Sequence, residues 1–326
     1  MGQAKAVGAA EFAERTDRYR PELLAHCYRM MGSLDEAEDL VQETYLRAWK
    51  YFDGFEERAS VRSWLYKIAT TTCLTALQTR KRRPLPSGLG AAAEHGAPAG
   101  LPDAEVPWLQ PFPDSLLRAA TDDPAAVVAL RNSVRLAFVA ALQHLSARQR
   151  AALVLREVAG WRAKEIAELL GASTAGVNSA LQRARERLSQ VAPGLDVLSE
   201  PEASDTRQLL DRYMDAFERA DVGALAELLR ADVELEMPPL PTWFVGRDTV
   251  LNYLRREVLT EPGRWRLVRT GANGGPAAAL YQRDPGGRYR AVGIDVLTVQ
   301  GGRIARLTAF LDPGLVAGFA LPDVIR

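Results

Sequence analysis

Three groups of residues have the types and spacing to do chemistry. Asp35, Asp39 and Glu43 recur every four residues, with Gln42 beside them, so on a helix they share one face of acceptors and an amide. Thr174, Asn178, Ser179, Gln182, Arg183 and Arg185 gather hydroxyl, amide and guanidinium groups, the types that read base edges and neutralise phosphates. Asp295 stands in VGIDVL with apolar neighbours on both sides, and a carboxylate buried there would suit general acid or base work. The histidines are His26, His95 and His144, so no His–Asp dyad is available near it.

Each group needs an element to position it. Leu34, Ala37, Val41, Thr44, Ala48 and Phe52 recur at spacings of three and four, which predicts an amphipathic helix with the acids on its outer face. In WRAKEIAELLGASTAGVNSALQRARERL (161–188), Ala167 lets two helices approach and Gly171 makes a turn. Val177 and Leu181 bury the second helix, and Ser173 caps its start: a helix-turn-helix. A solvated helical hairpin is the plain alternative. Asp295 belongs to a run of strand-like segments, 264–270, 277–283, 289–300 and 303–311, after a long helical pattern at 206–229. Gln300-Gly301-Gly302 marks a hairpin between the last two.

Composition divides the chain. Residues 10–83 read as helices, and 84–125 as a Pro/Gly/Ala-rich linker in which VPWLQPFPD has enough apolar bulk to dock. Residues 126–192 are helical again, 193–204 form a short joint, and 205–326 read as an α+β domain. The expected architecture is therefore two all-α units followed by an α+β domain. The net charge of zero hides an asymmetry: residues 130–195 carry 10 Lys+Arg against 4 Asp+Glu, and 84–129 carry 1 against 6. The basic excess falls on the helix-turn-helix, as a phosphate-touching module requires. No apolar run of about 18 residues appears and no signal-peptide core is visible. With Cys27 and Cys73 as free buried thiols in a reducing compartment, a cytoplasmic protein without membrane contact is expected. No metal or cofactor is expected.

Residues 35–83, DEAEDLVQETYLRAWKYFDGFEERASVRSWLYKIATTTCLTALQTRKRR, resemble domain two of the extracytoplasmic-function sigma factors of RNA polymerase. LQHLSARQRAALVLREVAGW (142–161) with the helix-turn-helix resembles their domain four. The resemblance implies core polymerase as partner, through its clamp coiled coil and flap, with Asp35, Asp39, Gln42 and Glu43 on the clamp. It also implies capture of the melted non-template strand near Phe55, Ser60, Arg62, Trp64, Lys67 and Thr71, with Arg80, Lys81, Arg82 and Arg83 on its backbone. Trp64 and Tyr66 read equally well as core aromatics. Thr71 stands where most members have Asn, and Asn178, Ala180 and Gln182 stand where many have basic residues or His. The helix-turn-helix would read double-stranded upstream promoter DNA.

Residues 205–326 resemble the SnoaL-like branch of the nuclear-transport-factor-like fold, on DRYMDAFERADVGALAELLRADVELEMPP, the strand pattern and LTAFLDPGL. That implies a curved sheet around a pocket, for which Met237, Trp243, Trp265, Tyr281, Asp295 and Phe310 are candidates, with an unknown small ligand as a possible occupant. The chain is expected to be a sigma factor, not an enzyme, regulated in cis by this domain. The alternatives are a stand-alone helix-turn-helix regulator with a ligand-sensing domain, and an enzyme of the SnoaL-like kind. The apolar end, FLDPGLVAGFALPDVIR, either docks elsewhere or caps its own domain.

Overall fold

The computed structural model describes residues 2–55, 60–118, 130–192 and 203–326. The chain divides into two compact bodies, residues 1–83 with 116–193, and residues 84–115 with 194–326. The expected boundary between 125 and 126, and nearly all of the joint at 193–204, fall outside the described residues.

In the first body, helices α1 (Gly2–Thr16), α2 (Arg20–Met31), α3 (Leu34–Tyr51) and α4 (Val61–Ala76) precede α5 (Leu136–Leu142) and α6 (Ala147–Glu157). The helix-turn-helix follows as α7 (Ala163–Leu170) and α8 (Thr174–Val191). Local chemistry sets the joints. Gly32, at φ 75°, ends α2, and Ser33 accepts from the Glu36 N–H to start α3. Ser60 caps α4, and Ser146 with Gln149 forms a capping box on α6. Gly171, at φ 58°, makes the turn before α8, whose cap is Ser173 through the Gly176 N–H.

The core of this body holds Leu23, Met30, Val41, Leu65 and Ala69, with both cysteines free and buried. The Cys73 thiol is pushed well up by its hydrogen bond with Cys27 and by burial. Two guanidiniums are buried as well. Arg29 donates to Ser133 Oγ at 2.8 Å. Arg150 donates to the Met30 carbonyl and, at 2.9 Å, to Gln143 Oε1, so α6 is tied to the end of α2. His26 lies beside Arg29 and bonds Thr70 at 3.0 Å; burial, then Arg29 and Arg62, hold its ring down at about 3.

In the second body, helices α9 (Ala203–Glu218) and α10 (Val222–Leu228) lead into one sheet. Its strands are β1 (Leu229–Glu236), β2 (Trp243–Val245), β3 (Trp265–Ala272), β4 (Gly275–Arg283), β5 (Tyr289–Gln300) and β6 (Arg303–Phe310), with α11 (Arg247–Tyr253) between β2 and β3. The order is β2-β1-β6-β5-β4-β3, antiparallel except for the parallel β1–β6 pair. Leu209, Phe217, Leu225 and Leu251 of the helices pack with Leu235, Leu267, Leu280 and Leu297 of the strands in one core. Helices on one face of a mostly antiparallel sheet make an α+β domain.

Residues 84–115, read from sequence as a linker, are laid along this body. Ser87 N–H donates to Glu236 Oε1 at 2.9 Å, Ala93 N–H to the Trp243 carbonyl at 2.8 Å, and Asp103 N–H to that of Pro239 at 2.9 Å. At the far end Phe112 and Asn273 exchange two bonds, Phe112 N–H to Asn273 Oδ1 at 2.9 Å and Asn273 N–H to the Phe112 carbonyl at 2.8 Å. A segment without periodicity cannot satisfy its own backbone, so it borrows partners from a neighbour. We call it the strap.

The apolar end of the chain caps its own domain. Helix α12 (Gly314–Gly318) buries Val316, β7 (Val324–Ile325) pairs with β5, and Tyr281 Oη donates to the Pro322 carbonyl at 2.8 Å. The sequence left these residues uncovered because a two-residue strand has no readable period.

At the β5 irregularity, a Cβ on Gly293 would lie 1.9 Å from the Phe310 carbonyl oxygen. Gly293→Ala is therefore expected to cost about 3 kcal/mol or more in urea unfolding of the full chain. Gly301→Ala meets nothing and carries only the strain of φ 57°, so about 1 kcal/mol is expected. Equal losses at the two sites would contradict the close approach of β5 to β6.

Candidate functional site

Asp35, Asp39 and Gln42 are exposed on α3, and Glu43 is half-buried, accepting from Arg47 Nε at 2.6 Å. Their face continues along the helix into Leu46, 65% exposed, and Trp49, 42% exposed. Positions 35, 39, 42, 46 and 49 share one stripe by their three- and four-residue spacing. Leu46 and Trp49 escape a sequence reading that looks for the buried stripe. Two large apolar residues out of phase with that stripe are the available signal. An exposed apolar pair ending a row of carboxylates suits a partner with an apolar patch rimmed by cations.

On α4, Ser60, Trp64, Lys67 and Thr71 also share a face. Ser60 Oγ is engaged in its cap. Trp64 is half-buried and stacked on Phe55, ring centroids 4.7 Å apart, while Arg15 lies over Phe55 and Phe52. The pair is thus both packed and partly open, which reconciles the two readings of Trp64. Thr71 is exposed, its hydroxyl donating back to the Lys67 carbonyl at 2.8 Å. Arg62 is held by Glu22 through Nε at 2.9 Å and Nη2 at 2.8 Å, and lies over the Tyr66 ring.

The run at 80–83 splits in two. Arg80 and Arg83 both engage the buried Glu36, Arg83 at 2.9 Å. Lys81 and Arg82 are exposed, and Arg82 Nη1 reaches His144 Nδ1 at 3.2 Å. Sequence alone treats the four as equivalent because it cannot see Glu36 turned toward them.

On α8, Val177, Leu181 and Ala184 are buried, and Thr174, Asn178, Ser179, Gln182, Arg183 and Arg185 are all exposed. Gln182 Nε2 donates to Glu186 Oε1 at 2.9 Å, and Arg185 is drawn to Glu157 of α6 at 2.5 Å. Arg183 has no hydrogen-bond or ion-pair partner among the described residues. The outer ridge therefore offers amides, hydroxyls and the unengaged guanidinium of Arg183, the set that a major groove can accept.

The six residues expected to line one pocket are not brought together. Asp295 stands opposite Ala278 and Ala309, and those two belong to the core beneath the helices, as do Met237 and Trp265. Phe310 follows Ala309 and stands opposite Ile294, so the strand pleat turns it to the other face. Trp243 pairs with Glu236, across the pleat from Met237, and its Nε1 donates to the Gly90 carbonyl of the strap. Tyr281 is tied to the tail. The sequence reading ignored the pleat, which separates neighbours in a strand.

Asp295 Oδ2 accepts from Tyr213 Oη at 2.5 Å, while buried Oδ1 has no hydrogen-bond partner among the described residues. Burial pushes its carboxyl up to about 6, against the pull of the Tyr213 bond, and Tyr213 is itself pushed up by burial and by the facing carboxylate. Among the described residues no group of three or more His, Cys, Asp or Glu side chains could hold a metal, and no helix is long and apolar enough to cross a membrane.

Comparison with known proteins matches each part. Family models for "Sigma-70 region 2", "Sigma-70, region 4" and "SnoaL-like domain" match residues 16–83, 135–188 and 210–307. The ECF RNA polymerase sigma factor SigG of Mycobacterium tuberculosis is 48% identical over 318 residues, 96% of this chain and 84% of that protein. SigJ of the same organism is 28% identical over 93% of each chain. The crystal structure of SigJ overlays with a TM-score of 0.61, covering 96% of this chain and 100% of that one at 24% identity, which shows a common fold.

The Asp295 carboxyl titrates higher in the fold than unfolded, so its favourable contribution is complete below about pH 4 and is lost as pH rises toward 6. Ionising it in place costs on the order of 3 kcal/mol. Asp295→Asn keeps an acceptor for Tyr213 and removes the ionisation. Its stability advantage over the native chain should grow between pH 4 and 6 and then stay level to pH 8. An advantage that does not change with pH would refute the raised carboxyl.

Proposed function

The chain belongs to the ECF RNA polymerase sigma factors, and from this premise we propose that α3 docks on core polymerase, α4 captures melted promoter DNA, and α8 reads duplex upstream DNA. One observation carries the proposal: the exposed stripe Asp35–Asp39–Gln42–Leu46–Trp49. A stand-alone helix-turn-helix regulator has no use for such a face, whereas a polymerase subunit needs one. The clamp coiled coil is its partner, with the carboxylates steering the encounter and Leu46 and Trp49 supplying the desolvated centre.

Trp64, Lys67, Thr71, Lys81 and Arg82 form the strand-capture surface. The aromatic stacks a base and the cations follow the backbone. Arg62, Arg80 and Arg83 serve this surface indirectly, by fixing α4 and the segment after it against Glu22 and Glu36. On α8, Asn178, Gln182 and Thr174 read base edges, while Arg183 grips a base or phosphate. The flap holds the body that carries α8. All of this takes place where polymerase works, in the cytoplasm.

The SnoaL-like domain is a regulator in cis, not an enzyme. What supports this is the strap: the connection between the α4 and α8 modules is hydrogen-bonded along the C-terminal domain from Ser87 to Asp114. In a sigma factor that connection must leave to enter the polymerase cleft. The C-terminal domain therefore sets the free-energy cost of engagement.

Two outcomes check these roles. Asp39→Ala with Leu46→Ala should weaken binding to core polymerase by at least about tenfold with melting behaviour unchanged, since both side chains are exposed. Unchanged affinity would remove the docking face. Asn273→Gly tolerates the native φ of 54° and deletes the acceptor for Phe112 N–H. It should speed amide exchange across 84–115 and raise promoter-directed transcription severalfold; faster exchange with unaltered transcription would sink regulation through the strap.

A further inference from the structure

We propose that the SnoaL-like domain binds a small organic carboxylate with an aromatic or acyl body, in a cleft between α9, α10, α11 and the β5–β6 turn. The cleft measures about 730 Å³, within the range that holds metabolite-sized ligands. Three guanidiniums line it from three elements: Arg212 of α9, Arg247 of α11 and Arg303 of β6. Leu209, Leu228 and Leu251, all buried, form its apolar floor. None of these residues was among the expected pocket residues.

The convergence of three guanidiniums from three elements on one cleft points to the ligand's charge. Some arginines of this domain are paired closely, as with Arg230–Asp232, Arg219–Asp215, Arg290–Asp284 and Arg306–Glu234, and others, such as Arg266 and Arg288, only loosely. Arg212 has only a loose contact with exposed Glu227, at 3.7 Å. Arg247 and Arg303 have no ion-pair or hydrogen-bond partner among the described residues. Glu227 and Asp248 also line the cleft, so its lining carries a net charge of +1, three guanidiniums less two carboxylates. That balance selects a monoanion over a polyphosphate. A carboxylate accepts the planar fork of a guanidinium through two parallel bonds, and an apolar body would cover the leucine floor. The guanidiniums fix the carboxylate end, and the floor sets the size of the body attached to it. The proposal does not depend on the promoter reading.

The test is calorimetric titration of the full chain with 2-naphthoate and with decanoate, against 2-naphthamide and inorganic phosphate. At least one carboxylate should bind saturably, and the neutral amide and phosphate at least about tenfold more weakly. Arg303→Gln, at the exposed first position of β6, should weaken the carboxylate about tenfold with the fold intact, and Arg247→Gln with it should abolish binding. Binding of neither carboxylate, equal binding of the amide, equal binding of phosphate, or affinity untouched by Arg303→Gln would each overturn the assignment.

Discussion

The helical body depends on two cations that have been taken out of water. Arg29 is fully buried and Arg150 nearly so, and burial draws both below the usual guanidinium range, Arg150 to about 10. A guanidinium in such a place costs several kcal/mol unless its donors are met. They are met in part, and across the divide between residues 1–83 and 130–192: Arg29 Nη1 by Ser133 and Arg150 Nη1 by the carbonyl of Met30 at the end of α2. Arg29 Nε and Nη2 and Arg150 Nε have no hydrogen-bond partner among the described residues. An apolar contact could slide by a residue, whereas a fork aimed at a particular carbonyl cannot. The relation between the α3–α4 surfaces and the helix-turn-helix in this closed arrangement is therefore specified by hydrogen-bond geometry. His26, wedged beside Arg29, stays neutral because burial disfavours its charged form and Arg29 and Arg62 repel a further positive charge.

The second body solves the opposite problem. The strap has too little apolar bulk to form a core and too many prolines to form a helix, yet its backbone donors must be satisfied. It obtains them from Glu236, Trp243, Pro239, Thr242 and Asn273 in turn. Bonds of this kind are individually worth about 1 kcal/mol, and the buried side chains of Leu85, Leu109 and Phe112 add apolar anchors worth about 1.5–3 kcal/mol each.

Legibility followed locality. Helix caps such as Ser173 and turns such as Gly171 were readable because their chemistry spans a few residues. The exposed face of α8 and the succession of long strands were readable because they follow a period. The β3–β4 hairpin is announced by Asn273-Gly274, a signal present in the sequence but absent from the reading of it. Nothing local told that Glu36 gathers Arg80 and Arg83, since 44 residues separate the first pair. Nor did anything local show that the strap lies on a sheet more than a hundred residues away, or that Phe310 faces away from Asp295. The residues expected to line one pocket fall on different faces for that last reason: residue type suggested a lining, and only register decides which face a strand residue joins.

Residue type was equally poor at telling functional charge from structural charge. Arg62, Arg80 and Arg83 have the chemistry of strand-binding residues, but each already holds an acid of its own chain. Breaking such a pair to bind phosphate would gain one ion pair at the expense of another, so these side chains are poor candidates for direct contact. Lys81 and Arg183 are exposed, and Arg183 has no such partner among the described residues, so they would meet a ligand at little cost. Arg247 and Arg303 meet the same criterion, and they also converge on one cleft. In a chain whose positive and negative charges are equal in number, most cations find an internal partner. The informative ones are those that do not.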